Sequence, residues 1–234
     1  MKNRMFLLAV FLPLVLFANA AGTPERIPVQ VQSCKFSVAV PEGWDTIPQS
    51  ALDQKLGKKV AVMGLYPKGK TDYFEEKYMI LSFLPTVNSL NNLPCKAIYD
   101  ELKGMMKQNS IPNNDSIHVV YNGMDSLSAG NKFQIQSNMT IYKDSANVNC
   151  QQILLLSRFG YICIAYYDKN EIPSASDTVL QKLIQDIDID NDYVYVEPHN
   201  ESAFTFGKIA IALGIGILVY LIMTLLDKRK KKDE

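Results

Sequence analysis

"CQQILLLSRFGYICIAYYD" occupies residues 150–168, and the fold turns on how it is read. Two apolar runs rich in β-branched and aromatic residues, 150–158 and 161–168, flank the short polar break around Arg158-Phe159-Gly160. That pattern predicts two strands closed into a hairpin. Upstream, "IHVVYNG" (117–123) and "NKFQIQSNMTIY" (131–142) read as two further strands. Downstream, "SDTVLQKLIQDI" (176–187) aligns Val179, Leu180, Leu183, Ile184 and Ile187 on one helical face. Ser176 stands as its N-cap, with Asp177 beside it at the positive helix end.

Further out, "LPCKAIYDELKGMMKQ" (93–108) is a second amphipathic helix, with Ile98, Leu102, Met105 and Met106 at helical spacing. "KKVAVMGLYP" (58–67) and "KYMILSFLP" (77–85) read as strands joined by "KGKTDYFEE", and "SALDQKLG" (50–57) as a short helix. "KFSVAVPEGW" (35–44) alternates Phe36, Val38 and Val40 against Ser37 and Ala39, a half-buried strand stopped by Pro41. Trp44, the single tryptophan, is expected over one end of the core. The predicted class is α+β: one antiparallel sheet flanked by helices, an α/β/α sandwich. "FSVAVPEGW" near the start, and a final hairpin followed by a helix ending in "IQDIDI", resemble the PsbP-like and DcrB-like domains over about residues 30–190. That resemblance implies the same sandwich in an exported or membrane-attached protein. It implies no catalytic or ligand residues.

The ends of the chain set its expected location. Lys2 and Arg4, an apolar run from Met5 to Phe17, and Ala18-Asn19-Ala20 make a signal peptide of residues 1–20. "IAIALGIGILVYLIMTLL" (209–226) carries no charge, and at about 1.5 Å per residue it would span roughly 27 Å. With Lys208 snorkelling and Phe204 and Phe206 at the interface, the transmembrane helix is expected over 203–226. Residues 227–234 hold five basic residues, Lys228 to Lys232, so the tail is expected in the cytoplasm. The expectation is a single-pass protein of the bacterial inner (cytoplasmic) membrane. Its extracytoplasmic domain covers 21–192, with a juxtamembrane linker at 193–202. Ala210, Ala212, Gly214 and Gly216 form a small-residue face suited to self-association or a partner helix.

The formal charge of zero conceals an asymmetry. Setting aside the leader's two basic residues, Lys208 and the tail's five leaves 16 basic residues outside. Setting aside Asp227, Asp233 and Glu234 leaves 21 acidic ones. A domain near −5 is a poor partner for nucleic acid. Cys34, Cys95, Cys150 and Cys163 allow up to two disulfides in an exported domain, with three connectivities. Cys163, inside "YICIAYY", also suits a buried free thiol.

"DIDIDNDYVYVE" (186–197) places acids at nearly the spacing of a calcium loop. No helix pattern follows it, Asn191 stands where the turn glycine belongs, and Pro198 follows the last acid. An edge strand with Ile187 and Ile189 inward is the better reading, and no metal is expected. His118 and His199 have no neighbours suggesting a triad or a ligand set, and Glu75 and Glu76 read as solvated surface. No glycine-rich phosphate loop occurs, and no cofactor is expected. An Asp-Ser/Thr-aliphatic (or alanine) pattern recurs five times and resembles an O-glycosylation acceptor at Thr46, Ser116, Ser126, Ser145 and Thr178. The functional expectation is a binding or accessory module of an envelope complex with a protein partner. The alternative is an envelope enzyme whose site assembles from distant residues.

Overall fold

The computed structural model describes residues 26–58, 60–108, 117–129, 132–143, 146–171 and 177–198. The chain runs β1 (Arg26–Val31), β2 (Cys34–Ala39), β3 (Trp44–Thr46), α1 (Gln49–Leu56), β4 (Met63–Pro67), β5 (Lys77–Pro85), α2 (Cys95–Gln108), β6 (Ile117–Ala129) and β7 (Lys132–Lys143). β8 (Ala146–Ser157), β9 (Gly160–Asp168), α3 (Thr178–Asp186) and β10 (Asp188–Ile189) follow. Single 3-10 turns lie at Leu90–Asn92 and Asn191–Tyr193.

The hairpin read from 150–168 is β8–β9, and it forms the middle of a seven-stranded sheet in the order β3-β4-β5-β9-β8-β7-β6. Every neighbouring pair is antiparallel. All nine residues of β9 are buried, because both faces of the sheet are covered. Side chains alternate between the faces. Leu154, Leu156, Tyr161, Cys163 and Tyr167 meet Leu52 and Leu56 of α1 and Ile98 and Leu102 of α2. Ile153, Leu155, Ile162, Ile164 and Tyr166 meet Phe36 and Val38 of β2 and Leu180, Leu183 and Ile184 of α3. The second cover is therefore mixed: α3 beside a small antiparallel sheet, β1-β2-β10. The α+β class stands, but a second sheet shares with α3 the layer expected to be helix alone. Trp44 is buried there, edge-on to Tyr166 at 6.1 Å.

Several boundaries differ from the sequence reading: β4 starts at Met63 rather than Lys58, and β8 at Ala146 rather than Cys150. β1 was not read from the sequence, and it carries Pro28. It is an edge strand bonded only to β2, where a proline is tolerated. β6 runs past Gly123 to Ala129 through an irregularity between Tyr121 and Gly123, and a glycine at a bulge does not end a strand. Residues 193–198, expected as linker, belong to the fold. Tyr195 is buried and donates its hydroxyl to the Leu93 carbonyl at 2.6 Å, and Ser157 bridges Val194. This strap also caps α2, whose Cys95 N–H donates to Glu197 Oε1 at 3.0 Å.

Among the described residues no helix is long and apolar enough to cross a membrane. The expected signal peptide, transmembrane segment and tail lie outside the described residues.

Candidate functional site

The register of β5 and β9 sets Lys77 directly opposite Asp168. The Asp168 carboxylate is buried. Its Oδ2 accepts from Lys77 Nζ at 3.0 Å, and its Oδ1 accepts the backbone N–H groups of Asn170 at 2.9 Å and Glu171 at 3.1 Å. Lys77 Nζ also sits 5.6 Å from the centroid of the Tyr166 ring. The Tyr166 hydroxyl donates to Asp177 Oδ2 at 3.1 Å, while Asp177 Oδ1 caps α3 by accepting from Val179 N–H and Leu180 N–H. Asp177, not Ser176, is thus the N-cap, and one carboxylate ties the helix start to the sheet.

Burial opposes the Lys77 charge. The hydrogen bonds to Tyr166 and Asp168 outweigh it and hold the ammonium protonated above its ordinary range. Burial likewise pushes the Tyr166 phenol up to about 12, although Lys77 draws it back. At neutral pH both groups keep their protons. They present fixed hydrogen-bond donors and charge rather than an exchangeable proton.

Beside this cluster the β4–β5 loop encloses a concavity of about 200 Å³, lined by Lys70, Thr71, Asp72, Glu75, Glu76 and Lys77. Lys70 and Glu76 pair across it at 2.6 Å, both half-exposed. The space is smaller than the ~300–1,000 Å³ of ordinary small-molecule pockets and suits an ion or the tip of a side chain. A second, open groove of about 440 Å³ lies on the outer face of the small sheet, where Pro28, Gln30, Lys35, Ser37, Asp188 and Asp190 line it. Arg26 closes the rim by donating to the Asp186 carbonyl at 2.8 Å. The acidic stretch is an edge: Ile187 is buried, Asp188 and Asp190 are exposed, and Asp190 accepts from Asp192 N–H. Among the described residues no three His, Cys, Asp or Glu side chains are grouped to hold a metal.

The residues singled out in the sequence do not converge. Cys34, Cys95, Cys150 and Cys163 are all buried free thiols. Cys150 opposes Tyr167 and Cys163 opposes Leu154. Four residues of strand separate them, roughly 13 Å, beyond the span a disulfide bridges. Thr46 lies half-buried in β3, Ser126 is exposed on β6, and Thr178 is exposed at the first position of α3. Ser116, Ser145, His199, Ala210, Ala212, Gly214 and Gly216 lie outside the described residues, as does the side chain of His118.

Lys77, Tyr166, Asp168 and Asp177 were missed as a set, because only strand register joins them. A second omission is a row of amides on β7. Gln134 and Gln136 are buried, and Gln134 Oε1, Gln136 Nε2 and Asn138 Oδ1 have no hydrogen-bond partner. Its signal was the alternation in "FQIQSN", polar at every second place of a strand set between covered faces.

The thiols carry a prediction. Burial pushes Cys34, Cys95 and Cys163 up to about 11, and Cys150 further. An unfolded thiol, near 9, loses its proton first as pH rises. The stabilising preference for the folded state is therefore complete below pH 9 and is lost between 9 and 11. The melting temperature should be flat from pH 7 to 8.5 and fall steeply by pH 11. Ellman's reagent at pH 8 should find no thiol in the native chain and four in guanidinium. A count of two or fewer after unfolding would mean disulfides.

No protein-family model matches the chain, and no curated protein matches it. Among solved structures it is similar to cyanobacterial PsbP (CyanoP) from Synechocystis sp. PCC 6803, with a TM-score of 0.46 and 9% identity, over 73% of this chain and 96% of that one. It is also similar to a protein of Bacteroides thetaiotaomicron VPI-5482 with a crystal structure at 1.50 Å resolution, with a TM-score of 0.40 and 14% identity. That match covers 67% of this chain and 46% of the other. Neither likeness carries an activity or a site to this chain.

Proposed function

We propose that this chain is a membrane-anchored extracytoplasmic binding module, accessory to a complex of the bacterial envelope. The observation that carries the binding role is Lys77, which lines a small polar concavity with its charge fixed by pairing with the buried Asp168. A fixed charge there recognises a charged or hydrogen-bonding tip, and neither Lys77 nor Tyr166 is poised to shuttle a proton near pH 7. The anchoring rests on the uncharged segment 209–226 and the basic run that follows it. Ala210, Ala212, Gly214 and Gly216 give that segment a face on which a partner helix or a second copy packs. Among the described residues, Ser126 and Thr178 are the exposed hydroxyls at which the Asp-Ser/Thr pattern would carry a glycan.

The test is cross-linking of the full-length protein in intact cells, followed by identification of what co-purifies. The same envelope protein should be recovered in replicate and lost from the Lys77→Ala and Glu76→Gln variants. Recovery of no reproducible partner, or recovery unaffected by both changes, would contradict the reading.

A further inference from the structure

The molecule has two unlike poles. β5 and β9 both end at Lys77 and Asp168 on one side, and there the loops carry Lys70, Asp72, Glu75 and Glu76. At the other end Pro85 faces Gly160, and two segments, 86–91 and 193–196, meet the β8–β9 turn and each other. Thr86 N–H donates to the Phe159 carbonyl at 2.9 Å, and Leu90 N–H to the Arg158 carbonyl at 2.7 Å. Arg158 N–H donates to the Tyr193 carbonyl at 2.7 Å, and Val196 N–H to Asn91 Oδ1 at 3.0 Å. This second pole holds two of the large apolar side chains that stand out from the surface, Val87 at 86% exposure and Val196 at 58%. Half-buried Phe159 lies between their segments, stacked under the exposed Arg158 guanidinium at 4.9 Å.

Where the strap leads decides what meets this pole. It ends at Pro198 on the same surface, two residues after Val196. Residues 199–202 alone separate it from the span expected to start at Ala203, and four extended residues reach at most ~14 Å. A tether that short keeps the Val196 pole towards the bilayer and the Lys77–Asp168 pole away from it. We propose that the pole made by Val87, Phe159, Arg158 and Val196 rests on the lipid surface from which the chain emerges. The two valines and the phenylalanine enter the headgroup region, and the guanidinium pairs with lipid phosphates. The inference builds on the anchored reading above and adds the orientation of the domain. The polar concavity then points away from the membrane, open to a partner.

The four native thiols are buried, so single labels can be introduced. The full chain is reconstituted in vesicles of phosphatidylethanolamine and phosphatidylglycerol (3:1) with bimane at Val87→Cys, Val196→Cys or Tyr142→Cys. Tyr142 is an exposed aromatic near the end of β7, beside the β7–β8 turn at the Lys77–Asp168 pole. Headgroup-nitroxide lipids should quench bimane at 87 and 196 at least threefold more than at 142. Equal quenching at all three sites, in protein that floats with the vesicles, would overturn the orientation and leave the anchor standing. Bimane at 87 that responds to protein density but not to nitroxide lipid would assign the pole to a second copy and would also overturn it. A chain that fails to float would remove both readings.

Discussion

Alanine at Gly160 should destabilise the domain by roughly 3 kcal/mol, the largest such effect among the described glycines. Gly160 opens β9 and sits opposite Pro85 at the end of β5, with φ of +154°. A Cβ there would overlap the Leu84 carbonyl oxygen, and would approach Phe83 Cζ at 2.8 Å and Pro85 Cα at 3.0 Å. Two of the three obstacles are backbone atoms of the neighbouring strand, so no rotamer change relieves them. The hairpin must shift against β5, and Thr86 N–H, which donates to the Phe159 carbonyl, shifts with it. Urea unfolding should show a lower midpoint with an unchanged m-value. Gly104 is the control: it lies in α2 with nothing within 4 Å of its would-be Cβ. Alanine there should stabilise by about 0.5–1 kcal/mol, because the helix loses a flexible residue. A loss under 1 kcal/mol at Gly160 would mean that the hairpin is not seated on β5 as described.

Asp168→Ala should cost about 3 kcal/mol. The change removes a buried acceptor from three donors: Lys77 Nζ and the N–H groups of Asn170 and Glu171. Leaving a buried donor unpaired costs ~1–3 kcal/mol, and more beside a charge. Lys77 keeps part of its access to water, with its side chain 33% exposed, which moderates the loss. Asp168→Asn should cost less, since the amide oxygen still accepts from the turn, while the amide NH2 faces Lys77 Nζ and leaves the ammonium without its acceptor. If both variants lose the same amount, the charged contact with Lys77 carries the effect and the turn hydrogen bonds do not. If neither loses 1 kcal/mol, the cluster is not the organising feature of that pole.

Periodic segments were legible. The i, i+3, i+4 spacing of α2 and α3 and the uninterrupted β5 appear within a residue or two of the positions their patterns predict. These elements bury one continuous stripe or run, and burial follows from local pattern alone. β1 was not legible. A proline strand with a burial pattern that merely alternates between half-buried and exposed has little local signal, and it exists because β2 offers it an edge. The strap was missed for a related reason. Tyr195 and Glu197 are held by Leu93 and by Cys95, each pair 102 residues apart in the chain. The candidate site has the same character. Lys77 and Asp168 look like ordinary surface charges until the β5–β9 register sets them face to face. For the cysteines an even count suggests pairing, whereas Cys34 lies on the opposite face from the other three and the register sets Cys150 and Cys163 four residues apart.

Topology is the central claim, and the buried thiols make it directly measurable. A membrane-impermeant maleimide, added to cells with a permeable outer layer, should label Glu201→Cys promptly. It should leave Asp233→Cys unlabelled until the cells are lysed, with the wild-type chain as the silent background. That pattern places the domain outside the membrane and the tail inside it. Prompt labelling at 233 with protection at 201, or equal labelling of both before lysis, would contradict the account.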